Sequence, residues 1–109
     1  MKTPALSDIK RAHQRISQYV STTPTITSHS IDDIAGANIF FKCENFQKTG
    51  SFKIRGAANA IFSIRPEERT SGFATHSSGN HAQAVAYAAR LAGVKAYIVM
   101  PKNAPKVKI

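Results

Sequence analysis

Lys53 follows a turn-forming run, Gln47-Lys48-Thr49-Gly50-Ser51, and precedes apolar residues at Ile54, Ala57, Ala58 and Ile61, the spacing of a helix face. That spacing puts an ammonium group in the first turn of a helix, where the macrodipole disfavours a cation and eases the loss of its proton. A neutral amine is the nucleophile that condenses with a carbonyl to form a Schiff base, and burial would push the group in the same direction. A surface lysine whose stem snorkels to water fits the same placement. A second run, Ser77-Ser78-Gly79-Asn80-His81, opens another predicted helix. Small residues, a glycine and a side-chain amide ahead of free helix N–H groups suit a carboxylate or phosphate, and they equally suit an ordinary capped helix start.

The elements that must position these runs can be read from the hydrophobic pattern. Ser7 and Asp8 are candidate caps for a helix whose apolar face is Ile9, Ala12, Ile16 and Tyr19 or Val20, ended by Thr23-Pro24. After a polar connection, residues 39–43 are β-branched and aromatic and predict a strand. Ser51 is the expected N-cap of the helix that carries Lys53, and Pro66 stops that helix. Gly72 opens a short strand at 73–75. An alanine-rich helix follows, with apolar residues around most of its axis and Gly93 as its C-terminal cap. Residues 94–100 then predict a strand ended by Pro101. Strand, helix, strand, helix, strand is the order of an α/β fold, an open and mostly parallel sheet with helices on both faces and right-handed crossovers. Ligands in such sheets bind beyond the carboxyl ends of strands, where both runs fall. Three strands and three helices leave the sheet incomplete, so the chain is expected to be the front portion of a larger protein.

Composition removes several other functions. The chain has 109 residues, 15 Lys plus Arg against 6 Asp plus Glu, a formal charge of +9 and one cysteine. One cysteine cannot form an internal disulfide, and no apolar run approaches the roughly 18 residues of a membrane span, so a cytoplasmic protein is expected, with no membrane partner. The basic residues are dispersed; only Lys102, Lys106 and Lys108 crowd together, and no aromatic residues alternate with them to stack bases, so no nucleic-acid partner is expected. Cys43 and four histidines show no zinc-ligand spacing, and no metal site is assigned. Neither a dinucleotide-binding glycine pattern nor a P-loop occurs. Fragments resembling the S-x-x-K, S-x-N and K-T-G set of serine acyl-transfer enzymes are present in the wrong order.

Two longer runs, residues 40–57 around Lys53 and residues 75–84 around Asn80, resemble the fold-type II pyridoxal-phosphate enzymes, the serine racemase and serine/threonine dehydratase group above all. The resemblance extends from near Asp8 through Pro101. It implies pyridoxal 5'-phosphate as cofactor, held by Lys53, which also serves as base at the substrate Cα. Phe52 would pack beside the cofactor ring and Asn80 would hydrogen-bond its phenolic oxygen. The loop of Ser77, Ser78, Gly79, Asn80 and His81 would grip the substrate carboxylate. The implied activity is β-elimination of a hydroxy-amino acid such as L-serine or L-threonine to an oxo acid and ammonia, with serine racemisation as the alternative. Ser78 would return a proton on the face opposite the lysine. The resemblance further implies ATP as an effector at Ser28, Lys48, Thr49 and Gln83, although His29 and Ser30 depart from the usual pair there. Mg2+ or another cation, a small amino acid as substrate and a homodimeric complete enzyme complete the expectation. Residues 1–75 would begin the large cofactor domain and residues 76–109 the small one, and a chain lacking the rest of both would bind the cofactor poorly.

Overall fold

Alanine and isoleucine at helical spacing build the centre of the molecule, and a computed structural model of the chain describes it over residues 3–104. Helix α3 (Lys53–Ser63) buries Ile54, Ala57, Ala58 and Ile61, the face read from the sequence. It packs against α4 (Asn80–Leu91), which buries Ala82, Ala84, Val85, Ala88 and Ala89. Alanines on both helices leave little bulk between them, so among the described residues Ile54 is the one large side chain that is fully enclosed. Burial of α4 is less complete than its composition implied, because Gln83, Ala86, Arg90 and Leu91 face outward.

The unit β3 (Phe73–His76), α4 and β4 (Ala96–Val99) forms the expected parallel pair, in register Phe73 to Ala96 through His76 to Val99. Two glycines set its corners. At Gly72 (φ +79°) an added Cβ would stand 2.5 Å from Lys95 O, so only glycine lets the strands meet there. Gly93 (φ +70°) ends α4 in a Schellman turn, with Val94 N–H on Ala89 O and Gly93 N–H on Arg90 O.

The first half departs from the sequence reading. Helix α1 (Leu6–Ile16) has Ala5 at its N-cap; Asp8 instead accepts from the Ala5 N–H at 2.8 Å, from the third helical position. The helix ends before Tyr19 and Val20, which continue in a turn, and Tyr19 stacks on Phe62 of α3 at 4.0 Å. Its residue Ile9 is exposed and Ile16 buried, so only its last turn is seated firmly on α3.

The connection read as polar loop contains β1 (Thr25–Ile26) and α2 (His29–Ala35), and the strand expected over 39–43 shrinks to β2 (Phe41–Lys42). β2 pairs antiparallel with β1 rather than parallel with β3, so the first of the two expected crossovers does not join one sheet. The reason lies at the strand's ends. The Ile39 N–H is taken by the Asp32 side chain, and at Cys43 the chain enters 3-10 turns at Glu44–Phe46 and Lys48–Gly50. No helix among the described residues is long and apolar enough to cross a membrane. Of the C-terminal basic group, Lys106 and Lys108 lie outside the described residues.

Candidate active site

The entry to α3 differs from the expected capped start. Ser51 is extended and buried rather than capping; Phe52 occupies the N-cap position and contributes no side-chain hydrogen bond. Lys53 is the first helical residue, as its spacing predicted. Its side chain is exposed rather than buried, its Nζ has no hydrogen-bonding or acidic partner among the described residues, and it stands 4.9 Å from the centre of the Phe52 ring.

The run from Ser77 to His81 lies between the carboxyl end of β3 and α4. Ser77 N–H donates to Val99 O at 3.1 Å, which ties the loop to the end of β4. Gly79 N–H donates to Ser77 Oγ at 3.3 Å. Ser77, Ser78 and Gly79 are half-buried, while Asn80 and His81, the first two helical residues, are exposed. By helix geometry the N–H groups of Asn80, His81 and Ala82 have no carbonyl partner within α4, and they point out of its positive end.

One cavity borders the second loop. A cavity of about 220 Å3 lies between α3, β3 and α4, and its lining includes Gly56, Ala57 and Ala60 together with Thr75 and His81. Lys53 does not line it, although residues 53, 56, 57 and 60 are spaced along one side of α3. The residues suggested for a nucleotide divide. Thr49 and Gln83 line a second cavity of about 500 Å3 with Tyr87 and Arg90, whereas Ser28, at the N-cap of α2, and Lys48 do not line it.

Sequence reasoning missed the polar network beneath α3. Arg55 donates from Nε and Nη2 to the two carboxylate oxygens of Glu44, at 2.8 and 2.7 Å, and from Nη2 to Ser21 O at 3.3 Å. The Thr23 hydroxyl donates to Glu44 at 2.5 Å. The Arg55 bonds, more than the burial that opposes them, hold the Glu44 carboxyl down at about 2, and the same pair raises the Arg55 pKa. Buried Gln47 grips Ser21 at both backbone groups, each at 2.8 Å. The signal was there to read. The first turn of α3 carries two cations and no acid, and Glu44 is among the few acids of a basic chain.

A pyridoxal-type aldehyde needs an accessible, unpaired amine with polar groups close by. Lys53 meets the first requirement. The hydroxyls of Thr49 and Ser51, just ahead of it, are buried without a hydrogen-bond partner among the described residues, as polar atoms at a ligand site would be. The residues present fit the cofactor.

An α/β chain with a lysine amine unpaired among the described residues at one helix start, and open N–H groups at another, has the groups to hold an aldehyde cofactor and an anion. The chain belongs to the pyridoxal-phosphate dependent enzyme family, whose model matches residues 16–109. It is 55% identical over its whole length to a serine racemase of Dictyostelium discoideum, covering 34% of that protein. It is 47% identical to a beta-hydroxyaspartate dehydratase of Paracoccus denitrificans, over 99% of this chain and 34% of the relative. The solved structure of maize serine racemase superposes with a TM-score of 0.93 at 52% identity, over 98% of this chain and 32% of that one. The chain therefore spans about a third of the length of the relatives it matches.

Proposed function

We propose that the protein carrying this chain uses pyridoxal phosphate to remove the β-hydroxyl and the amine from a hydroxy-amino acid such as L-serine or L-threonine, giving an oxo acid and ammonia. The observation that carries this reading is the exposed Lys53 amine at the head of α3, without a partner among the described residues, behind the buried and unpaired hydroxyls of Thr49 and Ser51. When bound, the cofactor supplies an electron sink for charge developing at the substrate Cα. Lys53 Nζ would hold the cofactor and would also be the base for the substrate Cα proton. Phe52 would pack beside the cofactor ring, and Asn80 would donate to its phenolic oxygen. The N–H groups at the start of α4, with Ser77, Ser78 and Gly79 ahead of them, bind the substrate carboxylate at the positive end of the helix.

Racemisation of serine is the second reading. Ser78, half-buried in the same loop, favours it, because a hydroxyl there can return a proton on the face opposite Lys53. The names of the Dictyostelium and maize relatives favour it too. Further parts of the proposal are a homodimer in the cytoplasm, a large domain beginning in residues 1–75, a small one in 76–109, and a cation bound by residues beyond this chain. ATP as an effector draws support from the cavity shared by Thr49 and Gln83. Borohydride reduction of the full-length protein with pyridoxal phosphate, followed by peptide mapping, tests the central claim. The label is expected on Lys53, and label at another lysine would refute the assignment. Product analysis from L-serine then separates the two reactions: pyruvate without D-serine removes the racemase reading.

A further inference from the structure

Helix α3 lacks the two local devices that usually fix a helix start. Its N-cap, Phe52, makes no side-chain hydrogen bond, and its first turn holds Lys53 and Arg55 with no acid, against the preference set by the macrodipole. Ser51, the residue chemically able to cap, is buried with its hydroxyl unpartnered among the described residues. Such a start would fray, and fraying would displace the residue that stands first in the helix, Lys53.

What holds it comes from elsewhere in the chain. Glu44, from the 3-10 turn after β2, receives the Arg55 guanidinium through two parallel bonds of 2.8 and 2.7 Å. Glu44 is itself fixed by the Thr23 hydroxyl, and Arg55 reaches Ser21 O, which also accepts from Gln47 Nε2. The pair is largely shielded, with side-chain exposures of 30% and 17%. A planar guanidinium on a planar carboxylate restrains orientation as well as distance, which a single charge on a flexible stem does not. Arg55 is two residues beyond Lys53, so restraining its side chain restrains the whole first turn.

The geometry points to Arg55 and Glu44 as positioning residues that stand in for a missing helix cap and set where the Lys53 amine stands. This rests on the role proposed for Lys53. Neither residue touches substrate or cofactor in that role; both act through the helix start.

The test uses the full-length protein with Arg55→Lys, which keeps the charge and loses the fork, and Glu44→Gln, which keeps the shape and loses the charge. Each is expected to lower kcat on L-serine by about 10- to 100-fold, the scale of a small misplacement of a reacting group, with KM changed less than about twofold. Amide hydrogen exchange is expected to quicken at least about tenfold at Arg55 and Gly56, with no comparable change in α4. Thr23→Val, which removes one donor to Glu44 and keeps the shape, keeps the test decisive if the charged-pair variants do not fold; about a threefold loss of kcat is expected of it. Loss of kcat without faster exchange in that turn, faster exchange with wild-type kcat, or exchange that quickens equally throughout the protein overturns the inference. Should the wild type neither couple pyridoxal phosphate at Lys53 nor turn over, the active-site reading fails. The exchange data then decide the clamp by themselves: faster exchange confined to the start of α3 upholds it, and unchanged exchange overturns it.

Discussion

The starts of α3 and α4 are held by opposite means. The start of α3 is tied to residues 21–23 and 44–47 by side chains, through a bidentate ion pair, a hydroxyl and a buried amide. The start of α4 hangs from the end of a strand, with Ser77 N–H on Val99 O and a long 3.3 Å bond within its own loop. The difference matches the proposed tasks. A covalent anchor must stand in one place, whereas a loop that closes on a carboxylate gains from leaving its donors unspent until the ligand arrives.

The largest effect should come from the anchored side. Lys53→Ala in the full-length protein is expected to lower turnover by about 10^2- to 10^4-fold or more, the range for loss of an acid–base group, and to abolish the absorbance band of the bound cofactor. Retained turnover, followed by product assay, would contradict the assignment of Lys53. On the loop side, Ser78→Ala should cut D-serine formation by about 10^2-fold while pyruvate formation persists, as read by chiral analysis. Equal loss of both products would remove the division of labour between the two faces.

Two further variants compare the supports directly. Gln47→Ala strands both backbone groups of half-buried Ser21 and should cost about 1–3 kcal/mol in denaturant unfolding. Ser77→Ala removes only the 3.3 Å contact and should cost under about 0.5 kcal/mol. Similar costs for the two would erase the contrast. The charged support should also show in pH dependence. Glu44 is held at about 2, below its usual 4.5, so its contribution is fully present above pH 4.5 and is lost as pH falls towards 2. Between those limits the melting temperature of the wild type should fall more steeply than that of Glu44→Gln.

Much of the second half of the chain was legible because its signals are local. The buried face of α3, the Gly72 and Gly93 corners and the parallel pairing of β3 with β4 follow from periodicity, glycine placement and chain order. Residues 17–52 were not. β1 and β2 are two residues each, too short for any alternation to show, and α2 is seven residues with none buried. Ser51 was misread because its type and position fit a cap that the backbone does not use.

By itself the sequence determined the types and order of the later elements, the family resemblance and Lys53 at the head of its helix, since each depends on residues near one another in the chain. Only the tertiary structure decided that Arg55 meets Glu44, that Gln47 grips Ser21, and that a strand pairs backward instead of joining the parallel sheet. Those outcomes depend on which distant groups can satisfy a buried charge or backbone amide. That competition is settled in space, not along the chain.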